Sequence, residues 1–577
     1  MLLGIGLLSL GTFYLPISIG VILGYSISYY RQDGQLAWPP DKTTWKWVLG
    51  FAGGLSLLAL VLGLPAMGES APTPDPIMID ASAGVMYYPP PPSTTYLGII
   101  YFFFTVVAMG LFFWWRQYFQ AAQRELTRHG SARFARRHEL RAFRFNPEGN
   151  NIYIGGDEFF YSRYGHHLTF CSTRGGKTTA LLLPNLLGAS SGNSSWLVID
   201  PKGELAAITA DYQRSLGKQV YILNPFELLG MMNHTYNPLD LLADHSRKSL
   251  ADDAQLLATM LVPKNVKQDS HWDKKARSLL AGIMMHLATT AYQPESKHEL
   301  SLGYIWQVLN SSHEDWLAFL TEMALNEHPI TGSVVAGIAN STLSLMATSE
   351  KEAASIHSAL SGWMDIFKSP QLRESLQSSE VNMNLLSQGN MVVYVNVPAE
   401  TLATHFTWLR IVITTAMQAV IRNPKEQVVF LLEEFYSLGY LQQIEVALGT
   451  YAGYGIKLWC VLQSLVQLQS LYGKNWENFI GNSAVIQAFG VNDQTTAEYF
   501  SKMAGTTSIP TYKDQRQRGL PQGSTGRPLL SPDEIRRLDQ EMLVFIENNA
   551  VARLPKVPYY EHPVWSQRAK PNPYYRG

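Results

Sequence analysis

A short apolar strand over His167–Phe170 runs directly into Cys171-Ser-Thr-Arg-Gly-Gly-Lys177-Thr178-Thr179, and the apolar stretch Ala180–Leu187 follows at once. Strand, tight glycine loop and helix start in succession, the context of a phosphate-binding loop in an α/β sheet. Backbone N–H groups of such a turn, together with a helix N-terminus, converge on phosphate oxygens. The expected contact set is Ser172, Thr173, Arg174, Gly175, Gly176, Lys177, Thr178 and Thr179. Lys177 is expected on the β- and γ-phosphates of ATP and the Thr178 hydroxyl on Mg²⁺. The usual pattern GxxxxGK[ST] begins with glycine. Here that place is Cys171, where a side chain is expected to demand a different backbone angle.

The complementary half of such a site is an apolar strand ending in acids, and Val428–Leu432 followed by Glu433-Glu434 has that form. Glu433, where aspartate is commoner, is expected on the Mg²⁺ shell through water. Glu434 is expected to polarise the attacking water. A third strand, Ile456–Leu462, ends at Gln463-Ser464, and a polar amide there faces the ligand crevice of a parallel sheet. Gln463 is thus placed to sense the γ-phosphate. Lys177, Glu433, Glu434 and Gln463 form the expected catalytic set, with Thr178 and Glu433 the metal-binding pair.

Lys177 and Glu433 lie too far apart in the chain for one plain βαβ series. Residues 245–385 have helical spacing, at Ala254–Leu261, Lys274–Ala291, Trp306–Ser311, Asp315–Leu325 and Val334–Ser361, and read as an inserted all-α domain. Strand-like runs resume at Met391–Val397, Val428–Leu432, Ile456–Leu462, Ala484–Phe489 and Met542–Ile546. Residues 151–244 and 386–555 are then the two parts of the nucleotide-binding domain, with 556–577 a tail that packs on the sheet or binds a partner. Residues 511–528 carry Lys513, Arg516, Arg518 and Arg527 in a Gly/Pro/Gln-rich stretch, expected to be a mobile surface loop.

Ahead of this body lies a different kind of sequence. Leu2–Tyr30 carries no charged side chain, and apolar runs recur at Trp47–Met67 and Leu97–Trp115, none with a polar face at 3.6-residue spacing. The first run lacks the basic n-region of a cleaved signal peptide. Loop 68–96 has Glu69, Asp75 and Asp80 but no Lys or Arg, whereas Arg116, Arg124, Arg128, Arg133, Arg136, Arg137, Arg141 and Arg144 follow the third run. The positive-inside rule therefore orients 1–115 as a multi-pass anchor with loop 68–96 outside, the basic linker 116–150 meeting anionic lipid, and everything after it in the cytoplasm. Pro89–Pro92 make the outer loop a stiff spacer. The net charge of −1 excludes a generally basic nucleic-acid coat, and two cysteines imply no disulfide framework. No CxxC pair or HExxH helix supports a metal hydrolase.

Taken in order, these segments resemble the type IV secretion coupling proteins, the VirD4/TraG/TraD group of inner-membrane ATPases. The resemblance runs from about Gly165 to Lys556. It is carried by the loop around Lys177, Trp196-Leu-Val-Ile-Asp-Pro-Lys-Gly-Glu-Leu205, Val220–Phe226, Tyr236–Asp240, Leu431–Gly439, Tyr454–Ser464 and Arg527–Glu534. It implies a RecA-like P-loop NTPase fold with an inserted all-α domain, preceded by a transmembrane helix region. It further implies homo-oligomeric six-membered rings, ATP and Mg²⁺ as cofactors, and delivery of a relaxase–DNA complex or protein effectors to a secretion channel in the bacterial inner membrane. The family's trans-acting arginine has no match in Thr450–Tyr454. A double-stranded DNA pump of the cell-division type and a nucleotide-binding receptor platform without turnover are the competing readings.

Overall fold

The computed structural model describes residues 77–80, 85–87 and 127–575, apart from 157, 191, 245, 264–270 and 512–522. The three expected spans, Pro89–Pro92, and Lys513, Arg516 and Arg518 lie outside the described residues. Among the described residues no helix is long and apolar enough to cross a membrane. The chain divides into two compact units, 132–505 with 528–577, and 1–131 with 506–527.

The larger unit is built on a nine-stranded sheet. After a short antiparallel pair, β3 (Ile152–Gly155) and β4 (Phe159–Tyr161), its strands are β5 (His166–Cys171), β6 (Ser195–Ile199), β7 (Gln219–Leu223), β8 (Met391–Val395), β9 (Val428–Leu432), β10 (Ile456–Leu462), β11 (Ser483–Phe489), β14 (Glu541–Ile546) and β15 (Ala552–Pro555). Their spatial order is β15-β14-β11-β5-β10-β9-β6-β8-β7. From β11 to β7 all pairings are parallel; β14 and β15 add antiparallel strands at one edge. Strands buried on both faces need apolar residues at every position. β9 meets this: Val428, Phe430 and Leu432 enter one core while Val429 and Leu431 enter the other.

Between β7 and β8 the described chain is helical, with helices Leu250–Leu261, His271–Thr290, Leu302–Leu309, His313–Ala324, Gly332–Thr348, Glu350–Met364 and Pro370–Ser375. These helices share a hydrophobic core with one face of the sheet. The single helix expected over Val334–Ser361 is two helices, broken where Ser349 leaves helical angles at φ −150° and ψ 72°. The other face is covered by β3, the helical turns after the P-loop, helix Glu204–Ser215 and the C-terminal tail. Asn185 fastens the P-loop helix to β3, accepting from the Tyr153 N–H at 2.9 Å and donating to its carbonyl at 3.0 Å.

The tail has a defined path on the sheet-packed layer. The Tyr559 N–H donates to the Thr179 carbonyl at 2.8 Å, Arg568 to the Leu187 carbonyl at 2.9 Å, and the Lys570 N–H to the Ile208 carbonyl at 3.1 Å. Trp565 is buried, edge-on to Tyr153 with ring centroids 5.2 Å apart. The basic linker is partly neutralised at the surface, with Arg133 on Glu139, and Arg137 and Arg144 on Glu158.

In the smaller unit the expected loop 511–528 is in part a β-ribbon. β12 (Thr506–Thr511) pairs with β13 (Gly523–Pro528), which includes Arg527, and Ser131 bridges to Thr507. Thr and Ile at β12 supply the β-branched residues that favour pairing over a loop. The loop 68–96, expected outside the membrane, contains another ribbon, β1 (Ile77–Asp80) against β2 (Val85–Tyr87), where a spacer alone was expected.

One buried cation stands apart from the candidate site. Lys457 of β10 is 1% exposed, its Nζ donating to the Arg163 carbonyl at 2.9 Å and lying 5.0 Å from the Tyr161 ring centroid. Burial pulls it down to about 7 from the ordinary 10.5. Between those two values the unfolded chain holds the extra proton, so this group makes stability rise with pH across that window. Lys457→Met is expected to remove that rise, read as thermal unfolding against pH. An unchanged slope in the variant would contradict it.

Candidate active site

Strand order decides which side chains meet. β10 lies between β5 and β9, with Leu462 opposite Phe170 and Cys460 opposite Leu432. The loop after β5, the amide after β10 and the acids after β9 therefore emerge side by side at the carboxyl ends of parallel strands. Such ends form the ligand crevice of α/β sheets.

The expected residues come together there. Lys177 Nζ and Glu434 Oε1 are 2.8 Å apart, and Gln463 Nε2 donates to the other oxygen, Glu434 Oε2, at 3.0 Å. Thr178 Oγ1 donates to Glu433 Oε1 at 3.4 Å. Glu434 has φ +54°, ψ +44°, a left-handed conformation that costs a non-glycine residue free energy and collects at functional sites. Arg174 is in the same region, φ +66°, with its side chain exposed beside the equally exposed Thr173. Ser172 is turned away from the loop's mouth, donating to the Gly490 carbonyl and accepting from Asn492 Nδ2 at 2.9 Å. Thr179 Oγ1 bonds back to the Gly176 carbonyl at 3.3 Å, so its hydroxyl serves the turn.

Cys171 corrects one expectation. It ends β5 as an extended residue opposite Phe489, and no special backbone angle is required of it. Its buried sulfur supports the loop from below: a Cβ on Gly175 would stand 2.5 Å from Cys171 Sγ. Gly490 closes the other side, since a Cβ there would lie 2.8 Å from Gly175 Cα. The loop needs glycine at 175 because two walls touch it.

The electrostatics are those of a site short of positive charge. Burial, then the neighbouring Glu434 carboxylate, push Glu433 up to about 7, with Lys177 opposing. Burial pulls Lys177 down, but the Glu434 and Glu433 charges overcome it and the net shift is upward. β6 adds an acid that carried no role in the sequence reading: Ile199 is opposite Leu432, which sets fully buried Asp200 beside Glu433. Asp200 Oδ2 accepts from the Ala206 N–H at 2.8 Å while Oδ1 has no partner. Burial and then Glu433 raise Asp200 well above the usual carboxylate range. Thr178, Glu433 and Asp200 are hard oxygen donors in a cation-poor pocket, and they fit a Mg²⁺ ion with its waters.

Two residues of the C-terminal tail reach the surroundings of the site. Lys556 Nζ donates to the Gly175 carbonyl at 3.2 Å, and Asn572 Nδ2 donates to Glu204 Oε1 at 2.6 Å, tying the tail to the segment after Asp200. Asp200 had the same signal as Glu433, an acid at a strand end. Lys556 had none, because its place depends on the path of the tail.

Residues 121–574 match the family model for type IV secretory system conjugative DNA transfer. This chain belongs to that family. Among relatives, the conjugal transfer protein TraG of Escherichia coli is 27% identical over 507 residues, covering 76% of this chain and 78% of that protein. VirD4 of Agrobacterium fabrum is 25% identical over 463 residues, covering 75% and 66%. The fold is also that of the bacterial conjugative coupling protein TrwB: its truncated unbound form superposes with a TM-score of 0.54 at 17% identity over 75% of this chain and 95% of that one. TrwB solved with ADP and Mg²⁺ gives 0.55 at 17% identity over 74% and 94%. The family member described here thus has a RecA-like P-loop fold.

The packing under its loop generates a prediction. Gly175→Ala is expected to weaken nucleotide binding at least about tenfold, roughly 1.4 kcal/mol. Adding Cys171→Gly, which clears the 2.5 Å clash, restores part of that loss. Titration with a fluorescent nucleotide reads both. No effect of Gly175→Ala would show that the walls do not set the loop.

Proposed function

We propose that this chain is a membrane-anchored coupling ATPase that delivers relaxase–DNA complexes, protein effectors or both to a type IV secretion channel. The observation that carries the reading is the convergence of Lys177, Glu434 and Gln463 from three adjacent strand ends, with Thr178 and Glu433 alongside. Those groups suit hydrolysis of a nucleoside triphosphate. Lys177 leaves Glu434 for the β- and γ-phosphates; the freed carboxylate, still held by Gln463, takes a proton from the attacking water. The water oxygen bonds to the γ-phosphorus as the bond to the bridging oxygen breaks and ADP departs. Thr178 and the acids would hold Mg²⁺, which would supply charge neutralisation on the phosphates. TrwB solved with ADP and Mg²⁺ supports ATP and Mg²⁺ as the cofactors.

Membership of the conjugative transfer family supports the partners: channel components, and DNA or protein cargo. The sequence pattern of residues 1–115 supports a multi-pass inner-membrane anchor with the body in the cytoplasm, touching lipid through residues 116–150. Residues 245–385 would receive cargo, and six copies would form the ring. Thr450–Tyr454 offers no arginine to a neighbouring copy, so the cation that completes such a site has to come from elsewhere in the assembly.

ATP turnover by the full-length protein in detergent, with and without single-stranded DNA, tests this reading. Lys177→Ala and Glu434→Gln are each expected to lower turnover by about 10²–10⁴-fold without unfolding the chain. Both are expected to abolish transfer. Normal transfer by Lys177→Ala in cells lacking the wild-type copy would overturn the motor.

A further inference from the structure

On the helical segment between β7 and β8, outside the strand-end site, two imidazoles and a carboxylate from three elements face one another. His286 comes from helix His271–Thr290, Glu322 from helix His313–Ala324, and His298 from the connection before helix Leu302–Leu309. One ligand atom from each lies within 4.8 Å of the other two. We infer that His286, His298 and Glu322 bind a transition-metal ion of the Zn²⁺ class, which ties the three elements of this segment together.

The donor set is two imidazole nitrogens and one carboxylate oxygen, a combination that Zn²⁺ accepts with water in the fourth position. His298 Nε2 and Glu322 Oε2 are already 2.8 Å apart, and His298 Nδ1 meets the Tyr304 hydroxyl at 2.8 Å. A metal-bound imidazole uses such an outer partner to fix its tautomer. His286 is 2% exposed, and its Nε2 is buried without any hydrogen-bond partner, a costly state for a polar atom that an ion relieves. His286 Nδ1 is held at 3.1 Å by the Asn326 amide. Nε2 is therefore the nitrogen left to bind.

The fit also sets a requirement. Tetrahedral coordination at about 2.0–2.2 Å brings ligand atoms to roughly 3.4 Å from one another. The three ligand atoms lie within 4.8 Å of one another, so small side-chain adjustments close the site, and the Glu322 side chain, 57% exposed, leaves an open side for water. Metal on Nε2 puts the His286 proton on Nδ1, so Asn326 must turn its oxygen to the ring. That oxygen now accepts from the His328 N–H at 3.1 Å. Asn326→Asp provides an acceptor for both groups and is expected to tighten the site, the opposite of what a purely structural amide predicts.

The test uses tag-free, full-length protein in detergent, stripped with chelator and free of nucleotide. Zn²⁺ is titrated in competition with a chromophoric chelator, and Co²⁺ is followed by its visible d–d absorption. The wild type is expected to bind one ion per chain with a tetrahedral Co²⁺ spectrum and to gain thermal stability from it. His298→Ala and the rim variant Glu322→Gln are expected to bind at least about tenfold more weakly, and Tyr304→Phe about tenfold more weakly. Absence of Zn²⁺ binding by the wild type, or equal affinity in Glu322→Gln and the wild type, would overturn the site. The histidine–carboxylate contact would then be a hydrogen bond only.

Discussion

The Lys177–Glu434 ion pair spans a strand. One partner rides on the loop after β5, the other follows β9, and β10 lies between them. Both charges are largely withdrawn from water, with side chains 11% and 25% exposed; each is the other's direct ion-pair partner, and Glu433 adds a second negative charge near Lys177. A desolvated charge left single is expensive, so each requires the other until a stronger partner arrives. In the proposed mechanism phosphate is that partner for Lys177. Gln463, projecting from the intervening strand, holds the second oxygen of Glu434 and would stay with the carboxylate once the lysine left.

The acids behind the pair follow from the same strand order. Parallel register sets Asp200 beside Glu433, and burial makes both reluctant to ionise without a cation nearby. The tail reaches this region from the far side. It contacts Gly175 and Thr179 in the loop, then Glu204 just beyond Asp200. Loop, acids and tail are in this way one connected arrangement, and the tail's backbone contact at Thr179 ties its packing to loop geometry.

Much of this was legible in the residues. The strands His167–Phe170, Val428–Leu432 and Ile456–Leu462 announce themselves by apolar runs that end in chemistry, because a sheet covered on both faces leaves polar residues only at strand ends. The same logic picked out Lys177, Glu433, Glu434 and Gln463 as neighbours. What escaped depends on three-dimensional contact. Cys171 looked like a departure from a glycine rule, yet it is an extended strand residue whose sulfur shapes Gly175. The break at Ser349 is invisible in apolar spacing that continues on either side. The ribbon of β12 and β13 is hidden by turn-forming composition, and Lys556 by the absence of any local motif.

Nucleotide affinity of Glu434→Gln beside the wild type, under conditions where neither turns over, tests the ion pair most directly. If Lys177 must leave Glu434 to reach phosphate, removing the carboxylate's charge frees the lysine. Binding is then tighter, by about tenfold for each roughly 1.4 kcal/mol the pair had contributed. Affinity that is unchanged or weaker in Glu434→Gln would contradict the account and leave the ion pair a bystander to nucleotide binding.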